Sequence, residues 1–175
     1  LANTRKQRLT ISANNNLQVR AYIDASFALH DDSKSHTGVM VTVGGAVVYV
    51  SSRKQKCVAK SPTEAELVGL TDNLGLVELF HEFVSFLVGQ VALTPVVYQD
   101  STSVISLVTE GGGITRTKHL RARMHLGKEC VDNKRVVVKY MNTKKMPADG
   151  ASKVLEGAAF QQFSDVVLGA RKLKD

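Results

Sequence analysis

Near residue 60 the hydrophobic period of this chain changes from two to 3.6, and few folds accommodate what lies on both sides of that change. Upstream, "LQVRAYID" at 17–24 sets apolar Leu17, Val19, Ala21 and Ile23 against Gln18, Arg20, Tyr22 and Asp24, the pattern of a strand buried on one face. "TGVMVTVGGAVVYVSS" follows as two β-rich runs around Gly44-Gly45, the composition of a two-residue hairpin turn. Three antiparallel strands are therefore expected to open the domain. After the basic link "RKQKCVAK", a helical pattern runs from Ser61 to about Val88, and from there strand and helix alternate. The expected elements are a strand in "TPVVYQD" (94–100), a short helix from Ser101 to about Thr109, a helix from about Lys118 to Asp132, a strand in "RVVVKYM" and a last helix starting near Ser152. The order βββαβαβα predicts an α/β domain whose mixed five-stranded sheet, three antiparallel strands and then parallel ones, is flanked by helices. The triple glycine at 111–113 reads as a mobile loop within that domain.

A chain of 175 residues suits one domain with its own core, assigned to 17–175, with 1–16 expected as connection from a preceding segment. The N-terminus begins without Met and lacks the basic-then-apolar pattern of a signal peptide, so it reads as cut from something longer. No run approaches the roughly 18 apolar residues that a membrane span needs. Two cysteines, Cys57 and Cys130, without partners at metal spacing, argue for an intracellular protein with free thiols. A formal charge of +7 favours an anionic partner, nucleic acid first.

Two glutamates stand at the helix start "SPTEAELVGL". Ser61 suits the N-cap, Pro62 the first helical position, and Glu64 completes a capping box. The helical face of Glu64 continues through Thr71, Asp72, Gly75, Glu78 and Glu82 and is expected to meet solvent. Glu66 lines up instead with Leu70, Leu74 and Val77 and is aimed at the sheet, where an unpaired charge costs several kcal/mol. Three aspartates fall at element ends: Asp24 closes the first strand, Asp100 closes "PVVYQD", and Asp149 lies ahead of the last helix. Each alone suits a cap or turn, and a glutamate such as Glu66 can snorkel to water. Four acids gathered in one cleft of a basic protein need a cation, and their hard oxygens suit Mg²⁺ or Mn²⁺. Two such ions about 4 Å apart can activate a water and stabilise the leaving oxygen of a phosphodiester.

In this order the four acids resemble the Asp-Glu-Asp-Asp site of the ribonuclease H fold. More narrowly, the chain is similar to the ribonuclease H domain of copia-type LTR retrotransposon polyproteins over about Leu17 to Lys153. The likeness is carried by Ser52 with Gln55, Ser61 to Glu66, Thr117 to Leu120 and Ala148-Asp149. Where that family continues Ala-Asp with an apolar pair and Thr-Lys, this chain has Gly150, Ala151, Ser152 and Lys153, and its loop "MNTKKMPAD" holds no histidine. The resemblance implies a ribonuclease H-like fold in which Asp24, Glu66, Asp100 and Asp149 bind two Mg²⁺ ions, with Mn²⁺ a substitute. It further implies cleavage of the RNA strand of an RNA–DNA hybrid beside an upstream reverse transcriptase domain, in a cytoplasmic virus-like particle, with the isolated domain monomeric.

Phosphate contacts are expected from Arg53, Lys54, Gln55 and Lys56 with Lys60, from Arg116, Lys118, His119 and Arg121 with Arg123, and from the helix start at Ser101. Hybrid shape and the ribose 2′-OH should dominate over base reading, because a chain without Trp and only 6% aromatic offers no row of stacking platforms. Two other readings compete. An integrase on the same fold would place its glutamate last in chain order, whereas here it is second. A non-catalytic domain would keep the nucleic-acid grip within a reverse transcriptase without the chemistry.

Overall fold

The computed structural model describes residues 7–14, 16–111, 118–171 and 173. Five strands form one sheet in the order β3-β2-β1-β4-β5: β1 (Val19–Ser26), β2 (His36–Val43), β3 (Ala46–Lys54), β4 (Val96–Gln99) and β5 (Val137–Tyr140). β1 pairs antiparallel with β2, and β2 with β3, whereas β4 runs parallel to β1 and β5 parallel to β4. The mixed sheet is the one the element order predicts. The β2–β3 turn is built on Gly44 and Gly45 at φ of +58° and +85°, a pair of left-handed positions that glycine adopts without strain.

β1 runs two residues beyond the expected strand, since Ala25 and Ser26 still pair with Thr37 and His36. Asp24 therefore sits within the strand rather than closing it.

Helices cover both faces. α1 (Pro62–Val88), α2 (Thr102–Thr109) and α3 (Lys118–Asp132) lie on one, over a core that includes Val19, Ala21, Ile23, Val39, Val41, Leu67, Leu70, Leu74 and Val77. Alternation sends the intervening residues of β1 and β2 to the other face, where Tyr22 and Met40 pack with Met141, Met146 and Ala148. Tyr22 stacks there on Tyr98 at 5.1 Å. No helix among the described residues is long and apolar enough to cross a membrane.

The expected single last helix is broken in two. A one-turn helix, α4 (Asp149–Ser152), ends where Lys153 turns extended, and α5 (Gly157–Val167) then folds back. A Cβ on Gly150 would lie 2.3 Å from the Phe163 ring, so the absent side chain is what allows α5 to seat on α4. That contact accounts for glycine where the resembling family has an apolar residue.

Candidate active site

Parallel strands β1 and β4 bring Asp24 and Asp100 to the same end of the sheet, and the first turns of α1 cross above that end. Carboxylate oxygens of Asp24, Glu66 and Asp100 all lie within 4.8 Å of one another, although 76 residues of chain separate the first from the last. Asp24 and Glu66 are only 4% and 8% exposed.

Each acid is held by a partner of its own. Glu66 Oε1 accepts from the Ala25 N–H at 3.1 Å, and its Oε2 accepts from Gln99 Nε2 at 3.1 Å. Gln99 is fully buried, and its own Oε1 accepts the Asp100 N–H at 3.0 Å, so one amide sets both Glu66 and the backbone of Asp100. Asp100 Oδ2 accepts from Thr143 Oγ1 at 2.8 Å. The Ser152 hydroxyl donates to Asp24 Oδ2. Gln99, Thr143 and Ser152 escape sequence reasoning, because an amide or hydroxyl has no chemistry of its own to announce.

Asp149 arrives differently. It stands on α4, ion-paired to Lys153 one turn later, and it lies outside the tight group of three. It is near enough to raise the Asp24 pKa, after burial and together with Asp100. α4 reaches this position across Gly38, the β2 partner of Asp24: a Cβ there would lie 2.4 Å from the Ala148 carbonyl oxygen and 2.5 Å from the Ser152 nitrogen.

Burial and the neighbouring Asp24 push the Glu66 carboxyl up to about 8. Burial likewise raises Asp24, against the lowering effect of the Ser152 hydroxyl. Asp24 and Glu66, both held above the usual carboxylate range, form with the Asp100 oxygen a set of three hard donors that fits a divalent cation, whose charge would offset the cost of ionising the two buried acids.

Glu64 departs from the expected solvent face. It is 6% exposed, because its carboxylate folds back to accept the Lys60 N–H at 3.0 Å while its own N–H donates to Ser61 Oγ. Thr71 is buried as well, its hydroxyl donating to the Leu67 carbonyl and accepting from Arg123. Around Thr71 the cause is the packing of α2 and α3 beside α1: a Cβ on Gly127 would reach Val108 and Thr71.

The expected phosphate contacts divide. Gln55 turns inward, its amide donating to Thr37 Oγ1 and the Ala65 carbonyl, so it ties β2 to the start of α1. Lys54 pairs with Asp32 at 2.8 Å, Arg53 donates to Tyr49 Oη at 2.9 Å, and Arg123 pairs with Asp72. Lys56, Lys60, Lys118 and Arg121 are exposed. Ser101 caps α2 through its hydroxyl, directly after Asp100. Arg116, the 112–113 part of the glycine loop and the His119 side chain lie outside the described residues.

No protein-family model matches the chain. It is 35% identical over 150 residues to the Retrovirus-related Pol polyprotein from transposon TNT 1-94 of Nicotiana tabacum, and 30% identical over 165 residues to that from transposon RE2 of Arabidopsis thaliana. These matches cover 85% and 94% of the chain, and 11% of each polyprotein. Among solved structures, an RNase H1 isolated from compost superposes with a TM-score of 0.57 at 19% identity, covering 77% of this chain and 92% of that one. The chain is a ribonuclease H-fold domain of the copia-type retrotransposon Pol family. Another structure of that compost RNase H1, in complex with an RNA/DNA hybrid, gives a TM-score of 0.53 at 17% identity over 74% of this chain and 88% of that one. The N-terminal RNase H domain of a Mycobacterium tuberculosis protein gives 0.53 at 14% identity, over 89% and 99%. Within this ribonuclease H-fold domain, the carboxylates that converge are those read from the order of acids in the sequence, and the fourth stands at their edge.

Proposed function

We propose that this domain is a divalent-metal-dependent endoribonuclease that hydrolyses the RNA strand of an RNA–DNA hybrid during reverse transcription. The observation that carries the reading is the meeting of Asp24, Glu66 and Asp100 oxygens within 4.8 Å at one end of the sheet. Asp24, Glu66, Asp100 and Asp149 would hold two divalent ions, Mg²⁺ or Mn²⁺. Bound there, the ions supply an activated water and a counter-charge for the leaving oxygen.

The chain's own part is orientation and charge. Ala25, Gln99, Ser152 and Thr143 keep the acid oxygens aimed at one centre, so little reorganisation remains for the moment of reaction. The N–H groups at the start of α2, next to Asp100, suit a phosphate oxygen of the scissile strand. Exposed Lys56 and Lys60 lead into α1, and Lys118 and Arg121 stand at the start of α3. All four suit a phosphate backbone. Recognition resting on hybrid shape and the 2′-OH fits an enzyme that must act on any sequence.

The test is cleavage of an end-labelled RNA–DNA hybrid with Mg²⁺ by wild type and Asp24→Asn. Cleavage by wild type alone supports the nuclease. Cleavage by neither, with hybrid binding retained, assigns the domain to a nucleic-acid clamp instead.

A further inference from the structure

We propose that the segment before β1 is a strap that pins the C-terminal end of α5 and, through α5, holds Asp149 at the edge of the acid centre. That Asp149 serves the chemistry rests on the nuclease reading; the mechanical coupling does not.

α5 is weakly anchored by its own residues. None of the eleven is buried, and no side chain caps its N-terminus. It lies on the second face of the sheet, where Phe163, Val166 and Val167, each partly buried, pack against the core of Tyr22, Met40, Met146 and Ala148. A helix with so little buried surface opens at low cost unless something outside it adds a restraint. α5 reaches the site through the Phe163 ring, which lies on Gly150 next to Asp149. Beside that seat a cavity of about 380 Å³, lined by Lys144, Met146, Asp149, Val166 and Leu173 among others, leaves α5 room to pivot. α4 is a single turn, and a shift of α5 is passed to it through that ring.

The restraint comes from the segment before β1. The Asn14 N–H donates to the Gly44 carbonyl at 2.9 Å, and the Gly44 N–H donates to the Gln18 carbonyl at 3.3 Å, so the segment is anchored on the β2–β3 turn. It also reaches the end of α5, where the Thr10 N–H donates to the Leu168 carbonyl at 2.8 Å. Leu168 is the C-cap of α5, and its carbonyl is one that a helix end leaves without an internal partner. Gly169 follows in the left-handed region, at φ of +72°, and a Cβ there would run into the Thr10 carbonyl oxygen. Thr10, Ser12, Ala46, Val47, Val166 and Gly169 close around a small cavity of about 40 Å³, so strap, sheet and helix end meet at one place. The path from strap to acid is short: Thr10, Leu168, the end of α5, Phe163, Gly150 and Asp149.

The experiment removes the strap's bond with Thr10→Pro, which has no N–H, and crowds its path with Gly169→Ala, while Thr10→Val keeps the N–H and serves as control. Hydrogen exchange read by mass spectrometry follows the coupling without substrate or metal. Peptides covering 149–152 and 157–167 should exchange about fivefold faster in Thr10→Pro and Gly169→Ala than in wild type and Thr10→Val, the worth of one hydrogen bond, with β1 and β2 unchanged. Unchanged rates in α4 overturn the proposal, and so does faster exchange throughout the domain, which marks a general loss of stability. Single-turnover cleavage of the hybrid reads the consequence. Both substitutions should slow it about fivefold, and neither should slow Asp149→Asn further, because the strap acts through that acid. Losses that multiply with that of Asp149→Asn overturn the proposal. A wild type that does not cleave removes the nuclease reading and leaves the exchange rates of α4 and α5 to decide the strap.

Discussion

Three of the four acids are carried by elements packed into the main core and one by a one-turn helix at its edge. Asp24 and Asp100 ride on adjacent parallel strands, and Glu66 sits in the second turn of a 27-residue helix packed over them. Those elements are fixed by the main core, so the distances among their oxygens cannot change without unpacking it. Asp149 belongs to a four-residue helix that owes its place to a glycine beneath, a serine bond to Asp24 and an ion pair to Lys153. The contrast separates a rigid centre from an adjustable margin. On the proposed nuclease reading, a site that closes around a nucleic acid and releases its product would use both.

The largest effect should come from the rigid centre. Conversion of Asp24, Glu66 or Asp100 to the amide is expected to lower hybrid cleavage by roughly 10³-fold or more, since each removes a charged oxygen from a preorganised centre. Asp149→Asn should cost about tenfold. Single-turnover rates for the four amide variants check the ordering, and an Asp149→Asn loss as large as that of Asp24→Asn would erase the distinction between centre and margin.

Next in size is Gly38→Ala. The added Cβ meets backbone atoms of Ala148, Ala151 and Ser152, none of which can rotate away. α4 must move, taking Asp149 with it and loosening the Ser152 bond to Asp24. Overpacking of this kind costs about 1–3 kcal/mol of stability. A displacement near 1 Å at reacting groups can lower rate about 100-fold. Denaturant unfolding together with cleavage kinetics tests both. Retained activity would mean that Asp149 can be held from elsewhere.

How much of this was legible in the sequence follows from the same contrast. The alternation in β1, the glycine pair of the hairpin and the capped start of α1 are local signals with local causes, and the structure reproduces the mixed sheet they predict. Of the acids of the centre, Asp100 could be read from its place at a strand end and Glu66 from its alignment with the inward stripe of α1, whereas Asp24 was expected to close a strand that runs on through Ser26. The site's supporting groups could not. Gln99, Ser152 and Thr143 acquire their roles only through pairing across 33, 128 and 43 positions of sequence. Thr71 was assigned to solvent because a helical wheel knows the sheet on one side of α1 but not the α3 packed beside it, and Glu64 because the wheel does not show its carboxylate folding back onto the Lys60 N–H. The break between α4 and α5 depends on Phe163 returning to Gly150, a tertiary contact that no period encodes. Gln55 looked like a phosphate contact beside three basic residues, and its amide was needed instead between β2 and α1.

The rigid centre also carries a cost that pH reveals. Glu66 has its folded pKa raised to about 8 from 4.5, so between those values the folded metal-free protein binds more protons than the unfolded chain. Stability of the metal-free domain should therefore fall as pH rises from about 4.5 to about 8 and level off beyond, with Asp24 adding to the fall. The expected loss is on the order of a few kcal/mol. Glu66→Gln should flatten the profile and stabilise the metal-free domain at pH 8, by the same removal that abolishes cleavage. Saturating Mg²⁺ should flatten the wild-type profile too. Urea unfolding at pH 5.5 and pH 8, with EDTA and with Mg²⁺, measures all of this, and a metal-free stability that rises over the interval would remove the assignment of a protonated Glu66.

The smallest effect belongs to the margin. Lys153 pairs with Asp149, and its own pKa is raised by that carboxylate first and then by Asp24 and Asp100 farther off. It stands half exposed, so its pairing is worth at most about 1 kcal/mol. Without a divalent ion Lys153 is the one cation paired to these four acids among the described residues, and it occupies the Asp149 oxygen that an ion at the edge of the centre would need. Lys153→Met should release that oxygen and remove a repelling charge. Calorimetric titration with Mg²⁺, or with Ca²⁺ as a non-hydrolysing probe, should show affinity raised up to about fivefold, by the exponential of that free energy. Lys153→Arg, which keeps the charge, should leave affinity near wild type. If both substitutions weaken metal binding alike, Lys153 orients Asp149 instead of competing for it, and the margin is as preorganised as the centre.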